Sequence, residues 1–255
     1  MILAAPFAVI AAASILNTSF LGISTEQWSG ESGSGWFTFH WFGYVWDLYR
    51  ESLGFSIKLA LLSVAGGLLI GVPGGYALAA SRHWSLRFIE ALVMLPLALP
   101  GIALSVGLIQ AYSFVRGSWW LILAGHVLYT LPFIVRLVTS SLRSIRLDEL
   151  EMCARGLGAG PWKRFAWIIL PTLRHEMILG SLLIFAVSWG EFNVSFLLNT
   201  PLHQTYPAAL YATYTSNSVQ VAGAATVLFL AVLLPALWII QSYGVSRECS
   251  VEQGA

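Results

Sequence analysis

The sequence predicts an all-α protein that crosses a membrane six times, and three observations carry that reading. The 255 residues are 57% hydrophobic and only 10% charged, where soluble domains carry about a quarter charged residues. The mean hydropathy is +0.75. Apolar stretches of roughly 20 residues, the length that spans a bilayer as a helix, recur along the chain. Lys and Arg collect in alternate connections, the asymmetry that sets orientation in a membrane. The formal net charge is +1, so no global field points to nucleic acid. The two cysteines, Cys153 and Cys249, fall far apart and outside the apolar stretches, which argues against a disulfide framework.

Residues 1–22 form the first span. The apolar run is longer than the core of a cleaved signal peptide, and no Lys or Arg precedes it, so the signal-peptide alternative is the weaker one. Residues 23–52 read as a periplasmic loop that ends in an aromatic segment. There Trp36, Trp41, Tyr44, Trp46 and Tyr49 suit the boundary between lipid and water. Residues 53–243 form a five-helix core. Its first helix, 53–80, carries Gly67, Gly71 and Gly75 at four-residue spacing. No Lys-Ser/Thr follows, so they read as a close helix-packing face rather than a phosphate loop. The next span, 88–115, holds Pro96 and Pro100-Gly101, and a kink or break is expected. Spans 119–140, 176–198 and 219–243 follow, with a polar tail at 244–255.

Arg82, Arg87, Arg143, Arg146, Arg155, Lys163, Arg164, Arg174 and Arg247 fall on one side of this topology, and Arg50 and Arg116 on the other. Both termini and the 141–175 connection are therefore expected in the cytosol. That connection contains an elbow, Asp148 to Pro171. Asp148 and Glu151 have capping-box spacing. Leu150, Cys153/Ala154 and Leu157 line one helical face, and Glu151 and Arg155 form an i,i+4 pair on another. Gly158 stands where a left-handed turn would end the helix, and Gly160-Pro161 restarts one. A short amphipathic helix at 148–158, bent sharply into a second helix, is expected. An exposed element of that kind implies a partner.

The spacing within the elbow resembles the permease subunits of bacterial binding-protein-dependent ABC importers. Their signature is E-A-A-x3-G-x9-I-x-L-P. Here Met152-Cys153-Ala154, Gly158, Ile168 and Leu170-Pro171 keep every interval. Met152 replaces the acidic residue, Cys153 replaces the first Ala, and Glu151 lies one residue early. The aromatic stretch, the Pro-rich third span and the Gly190-Glu191-Phe192 text of span five are also similar to this family, and the length, the aromatic stretch and that text resemble its polyamine, iron, thiamine and phosphonate branch. The resemblance implies a type I importer fold in a bacterial inner membrane. It implies a translocation subunit without its own ATPase site, with ATP and Mg held by partner subunits. It implies two ATP-binding subunits, a second permease subunit (a paralogue rather than an identical copy) and an extracytoplasmic solute-binding protein. Glu149, Leu150, Glu151, Met152, Cys153, Ala154, Leu157 and Gly158 would form the coupling helix that docks on the ATPase.

For the substrate path, Glu191 is the only acidic residue well inside a span, where an ionisable group must face protein or water. Helical continuity would put Glu191 and Ser195 on one face and Asn193 on another. Glu191 either lines the pathway or its outer gate, or pairs with a group on the partner permease or caps a kink. Gln110 and Tyr129 are weaker pathway candidates. His126 reads as a satisfied core histidine. No metal-ligand spacing, nucleophile elbow or nucleotide loop is present, so no cofactor is expected in this chain. Two other classes compete. An ion-coupled secondary transporter needs inverted repeats and a charged midplane site. An intramembrane enzyme needs a catalytic partner for Glu191.

Overall fold

The computed structural model describes residues 10, 14–15, 39–80, 84–145, 147–216 and 219–252, without the side chains of 85–87, 148, 216 and 243–252. Most of the first expected span and residues 23–38 of the aromatic loop, Trp36 among them, lie outside these residues, as do Arg82, His83 and Arg146 and the side chains of Arg87, Asp148, Arg247 and Cys249. Among the described residues the regular structure is helical, apart from an isolated bridge between Thr200 and His203.

Helix α1 runs over His40–Ala80, α2 over Trp84–Ala98 and α3 over Gly101–Ala111. Helix α4 covers Trp119–Ser144 and α5 Leu147–Gly156. Helix α6 is Pro161–Thr172, with a π-helical stretch at Phe165–Ile169. Then come α7, Arg174–Gly190, α8, Asn193–Leu198, α9, Tyr206–Ser216 and α10, Val219–Glu252.

Among the described residues, α1, α4 and Val219–Ser242 are each long and apolar enough to cross a membrane. Two bent pairs add up to two more spans. Phe88–Ala98 and Gly101–Ala111 meet at 111°, and Pro161–Thr172 and Arg174–Gly190 meet at 70°. The first bend falls at Leu99-Pro100, as the sequence leads one to expect. Proline lacks the N–H for a ladder bond and pushes its predecessor out of the helical region.

The chain divides into two compact units, 1–57 with 199–235, and 58–198 with 236–255. In the first, the aromatic segment is not a loop. Helix α1 begins at His40, well before the expected start at residue 53. Trp41, Tyr44 and Tyr49 are partly buried against Val45, Val221, Ala224 and Ala225. Positions 41, 44/45 and 49 follow helical spacing, so one face of this stretch packs inward while residues such as Trp46, 55% exposed, remain outside it. Tyr206 is fully buried there. It donates its hydroxyl to the Ala225 carbonyl at 2.7 Å, and its N–H goes to Ser56 Oγ at 2.7 Å.

In the second unit α4 is central. Its face of Ile134, Val138 and Leu142 joins Val72 of α1, Leu147 of α5, Ile169 of α6, and Ile184 of α7 in one core. The glycine row of α1 makes that approach possible. A Cβ at Gly75 would lie 2.8 Å from Val138, one at Gly67 would lie 2.7 Å from Ile184, and one at Gly71 would collide with Ile134. Neighbouring Gly74 faces open space. Helix α10 continues into the polar tail as far as Glu252.

Candidate functional site

The elbow folds much as its residues specify. Helix α5 ends at Gly156, and the chain turns at Gly158, whose φ is +77°. The N–H of Gly158 reaches the Arg155 carbonyl at 2.9 Å, and that of Ala159 reaches the Ala154 carbonyl at 3.0 Å. This is a Schellman cap, which needs a left-handed residue at its turn. Pro161 then occupies the first turn of α6. The exposed surface of the elbow includes large apolar side chains. Leu150 is 40% exposed, Met152 64%, Leu157 89% and Trp162 82%. Cys153 is an exposed free thiol, and Glu149 and Gly158 also lie at the surface.

Two of the expected docking residues turn the other way. Ala154 is buried, and Glu151 is only 8% exposed. Glu151 Oε1 accepts from the Tyr76 hydroxyl of α1. Its Oε2 accepts from Arg155 at 2.7 Å and Arg164 at 2.8 Å. Burial alone would raise the Glu151 carboxyl. The Tyr76 and Arg155 hydrogen bonds and the charges of Arg164 and Arg155 outweigh it and hold the carboxyl below the usual glutamate range. The i,i+4 pair is present, but the carboxylate belongs to the protein's interior and is not a free rim charge. Helical spacing shows which residues share a face; it does not show which face the rest of the chain covers.

The second candidate region lies where two chain breaks meet. Helix α7 stops at Gly190, and Glu191 adopts an extended backbone, φ −74° and ψ 106°. The shared helical face of Glu191 and Ser195 is therefore corrected, because no helix runs through 191. Glu191 is buried, and its Oε1 accepts the Val194 N–H at 3.0 Å, capping α8. Beside it lies the start of α3. A Cβ on Gly101 would stand 3.3 Å from Glu191 Oε1 and 2.8 Å from the Asn193 Cβ, so only glycine lets the two breaks approach this closely. Ser105 ties the pair further, donating to the carbonyls of Gly101 (2.9 Å) or Val194 (3.2 Å).

His126 of α4 bridges α7 and α8 across the break at Glu191. Its Nδ1 lies 2.8 Å from Ser188 Oγ on α7. Its Nε2 lies 2.8 Å from Ser195 Oγ on α8. A buried imidazole needs such partners, and the satisfied core histidine is what the structure contains. Ser195 is thus buried in this tie. Asn193 and Gln110 are exposed, and Tyr129 is half-buried. Gly101, Ser105 and Ser188 escaped sequence reasoning, since their role depends on two breaks coming together. Glu191 is also not the sole deep acid. Glu176, in the first turn of α7, is fully buried and accepts from Ser141 at 2.9 Å. Among the described residues no group of His, Cys, Asp and Glu has a metal-binding arrangement.

Comparison with known proteins bears on these features. The family described as "Binding-protein-dependent transport system inner membrane component" matches residues 67–244. A Salmonella typhimurium protein, PhnV, named as a permease of a 2-aminoethylphosphonate transport system, is 27% identical over 219 residues, covering 82% of this chain and 80% of its own. The Escherichia coli spermidine/putrescine transport system permease protein PotC is 26% identical over 237 residues, covering 91% and 85%. Among solved structures, the inward-facing MetNI methionine ABC transporter matches with a TM-score of 0.67 at 18% identity, covering 79% of this chain and 98% of that chain. A bacterial alginate ABC importer matches with a TM-score of 0.64 at 16% identity, covering 96% and 90%.

Proposed function

Because the chain belongs to the family of binding-protein-dependent transport system inner membrane components, we propose that it pairs with a second permease subunit to form the membrane pathway of an ATP-driven importer. It is a multi-pass membrane permease of the ABC importer class, in the polyamine and phosphonate branch. The proposal places it in a bacterial inner membrane with the elbow and both termini in the cytosol. Two ATP-binding subunits supply the ATP and Mg chemistry, and this chain supplies none. An extracytoplasmic binding protein delivers a small polar solute.

One observation supports this reading above the others, the elbow. A short helix that exposes Leu150, Met152, Cys153 and Leu157 beside Glu149, and then reverses at Gly158, has the shape of a helix that lies in a partner's groove. The charge-bearing side of that groove would meet Glu149, since Glu151 faces inward. Closure of the ATPase pair on ATP would move the elbow. The breaks at Pro100, Leu173 and Glu191 are then the places where rocking of the bundle can be absorbed. Glu191, with Asn193 exposed beside it, is the proposed pathway or gate element, and Tyr129 is a weaker lining candidate. Ser195 serves it by holding the break, and Gln110 is a more distant lining candidate.

Co-purification from the native membrane tests the reading. A stoichiometric ATP-binding subunit and ATP-dependent uptake into proteoliposomes are expected. Uptake that survives ATP depletion and follows an ion gradient would replace it with the secondary-transporter alternative. The solute follows from a binding screen of the co-encoded binding protein, starting with 2-aminoethylphosphonate, putrescine and spermidine, the solutes named for the relatives.

A further inference from the structure

Glu151 sits one residue before the signature's acidic position, yet it is among the most heavily engaged side chains of the elbow. Its two oxygens take the Tyr76 hydroxyl and two guanidinium groups. Its partners come from three elements. Tyr76 lies on α1, Arg155 one turn along α5, and Arg164 in the first turn of α6.

Each anchor is itself held. Thr139 of α4 donates to the Gly75 carbonyl at 3.2 Å. Arg143 of α4 reaches the Leu78 carbonyl at 3.4 Å while pairing with Glu90 of α2 at 2.9 Å. Tyr76 therefore stands on a stretch of α1 that is pinned from both sides. Its ring lies 5.5 Å from that of Phe165, the residue after Arg164. The Arg164 side chain is 11% exposed, and its Nε has no hydrogen-bond partner. Without the Glu151 carboxylate that guanidinium would be a buried charge with nothing opposite it.

We propose that Glu151 is a positioning residue. Through Tyr76 and Arg164 it makes the elbow helix move as one body with the inner end of α1 and with α6, so that displacement of the elbow reaches the spans. This rests on the elbow being the ATPase-docking element. Without the tie, the elbow would still present its apolar face and still dock. The two-residue link between Gly158 and Pro161 would then absorb the push.

The experiment reads a spin label on native Cys153 in the permease alone, in a Cys249→Ser background, and the transport ratio in the unlabelled purified importer complex. Tyr76→Phe removes one hydroxyl, and Glu151→Gln removes the charge while keeping the Tyr76 acceptor. In both variants the label is expected to become more mobile, and solute imported per ATP hydrolysed to fall several-fold, with as much ATPase subunit co-purifying as before. An unchanged label together with an unchanged ratio overturns the proposal. A freer label with an unchanged ratio overturns it too, because the tie is then only structural. Should Glu151→Gln fail to accumulate, the isosteric Tyr76→Phe decides alone. Loss of the ATPase subunit already in the unsubstituted complex is a failure of the docking reading. The label on the permease alone still reports whether the tie exists.

Discussion

At the scale of single residues, Gly158 and Glu191 carry the sharpest expectations. Gly158 combines a φ of +77° with open space where a Cβ would go, so the obstacle to substitution there is conformational and not steric crowding. A left-handed backbone costs an ordinary residue about 1–2 kcal/mol, and a β-branched one resists it most. Gly158→Val should unravel the cap, and pull-down of the ATPase subunit should drop while the spans stay folded by circular dichroism. Gly158→Asn should retain much of the binding. Glu191→Gln tests a different property. The amide oxygen can still accept the Val194 N–H, so the α8 cap survives and only the charge is lost. Transport, or solute-stimulated ATP hydrolysis, should change more than assembly does, and a silent variant would leave Glu191 a cap and nothing else. Glu151 should respond to acid. Its carboxyl is held below the usual range, so its contribution is complete above the ordinary glutamate value, about 4.3. That contribution is lost as pH falls through the lower folded value. A spin label at Cys153 should keep the same mobility from neutral pH down to about pH 5 and loosen only below that.

At the scale of elements, the helices divide by how they earn their order. Helix α1 owes its place to the glycine row that meets α4 and α7. Gly71→Ala puts a Cβ against Ile134 and Gly74→Ala meets nothing within 4 Å. Overpacking of a close-packed site costs about 1–3 kcal/mol, whereas Ala for Gly on an open helical face gains up to about 1 kcal/mol. Thermal unfolding in detergent should therefore fall for Gly71→Ala and hold or rise for Gly74→Ala. Both glycines look alike in the sequence, and what separates them is which side of α1 faces α4. Broken span five shows a similar limit. Its apolar run predicts one helix from Glu176 to Leu198, but the chain stops at Gly190 and restarts at Asn193. The interruption is held by a carboxylate cap and by a histidine from another helix, and neither is visible to hydropathy.

At the scale of the whole molecule, the apolar surface of the elbow is the feature that calls for a second protein. Leu157 is 89% exposed and Met152 64%, large apolar side chains on a segment that the sequence places outside the bilayer. Cys153 lies within that surface as a free thiol and reports on its cover. In the assembled importer, alkylation of Cys153 by a membrane-impermeant maleimide should slow several-fold relative to the permease alone. Equal rates would place the ATPase elsewhere.

The sequence by itself determined that this is a helical membrane protein. Composition and the length of apolar runs follow from the bilayer as solvent, which acts on every residue locally. It also determined the existence and ends of the elbow helix, because the Gly158 cap and the Pro161 restart are local backbone chemistry. The family followed from gapped spacing across that same stretch. Tertiary structure decided which sides are covered. It made the aromatic segment a packed helix, turned Glu151 inward while leaving Leu150 and Met152 outside, and brought Gly101 against Glu191. Those outcomes depend on contacts between residues far apart in the chain, and periodicity records only that a face exists, not what comes to lie against it.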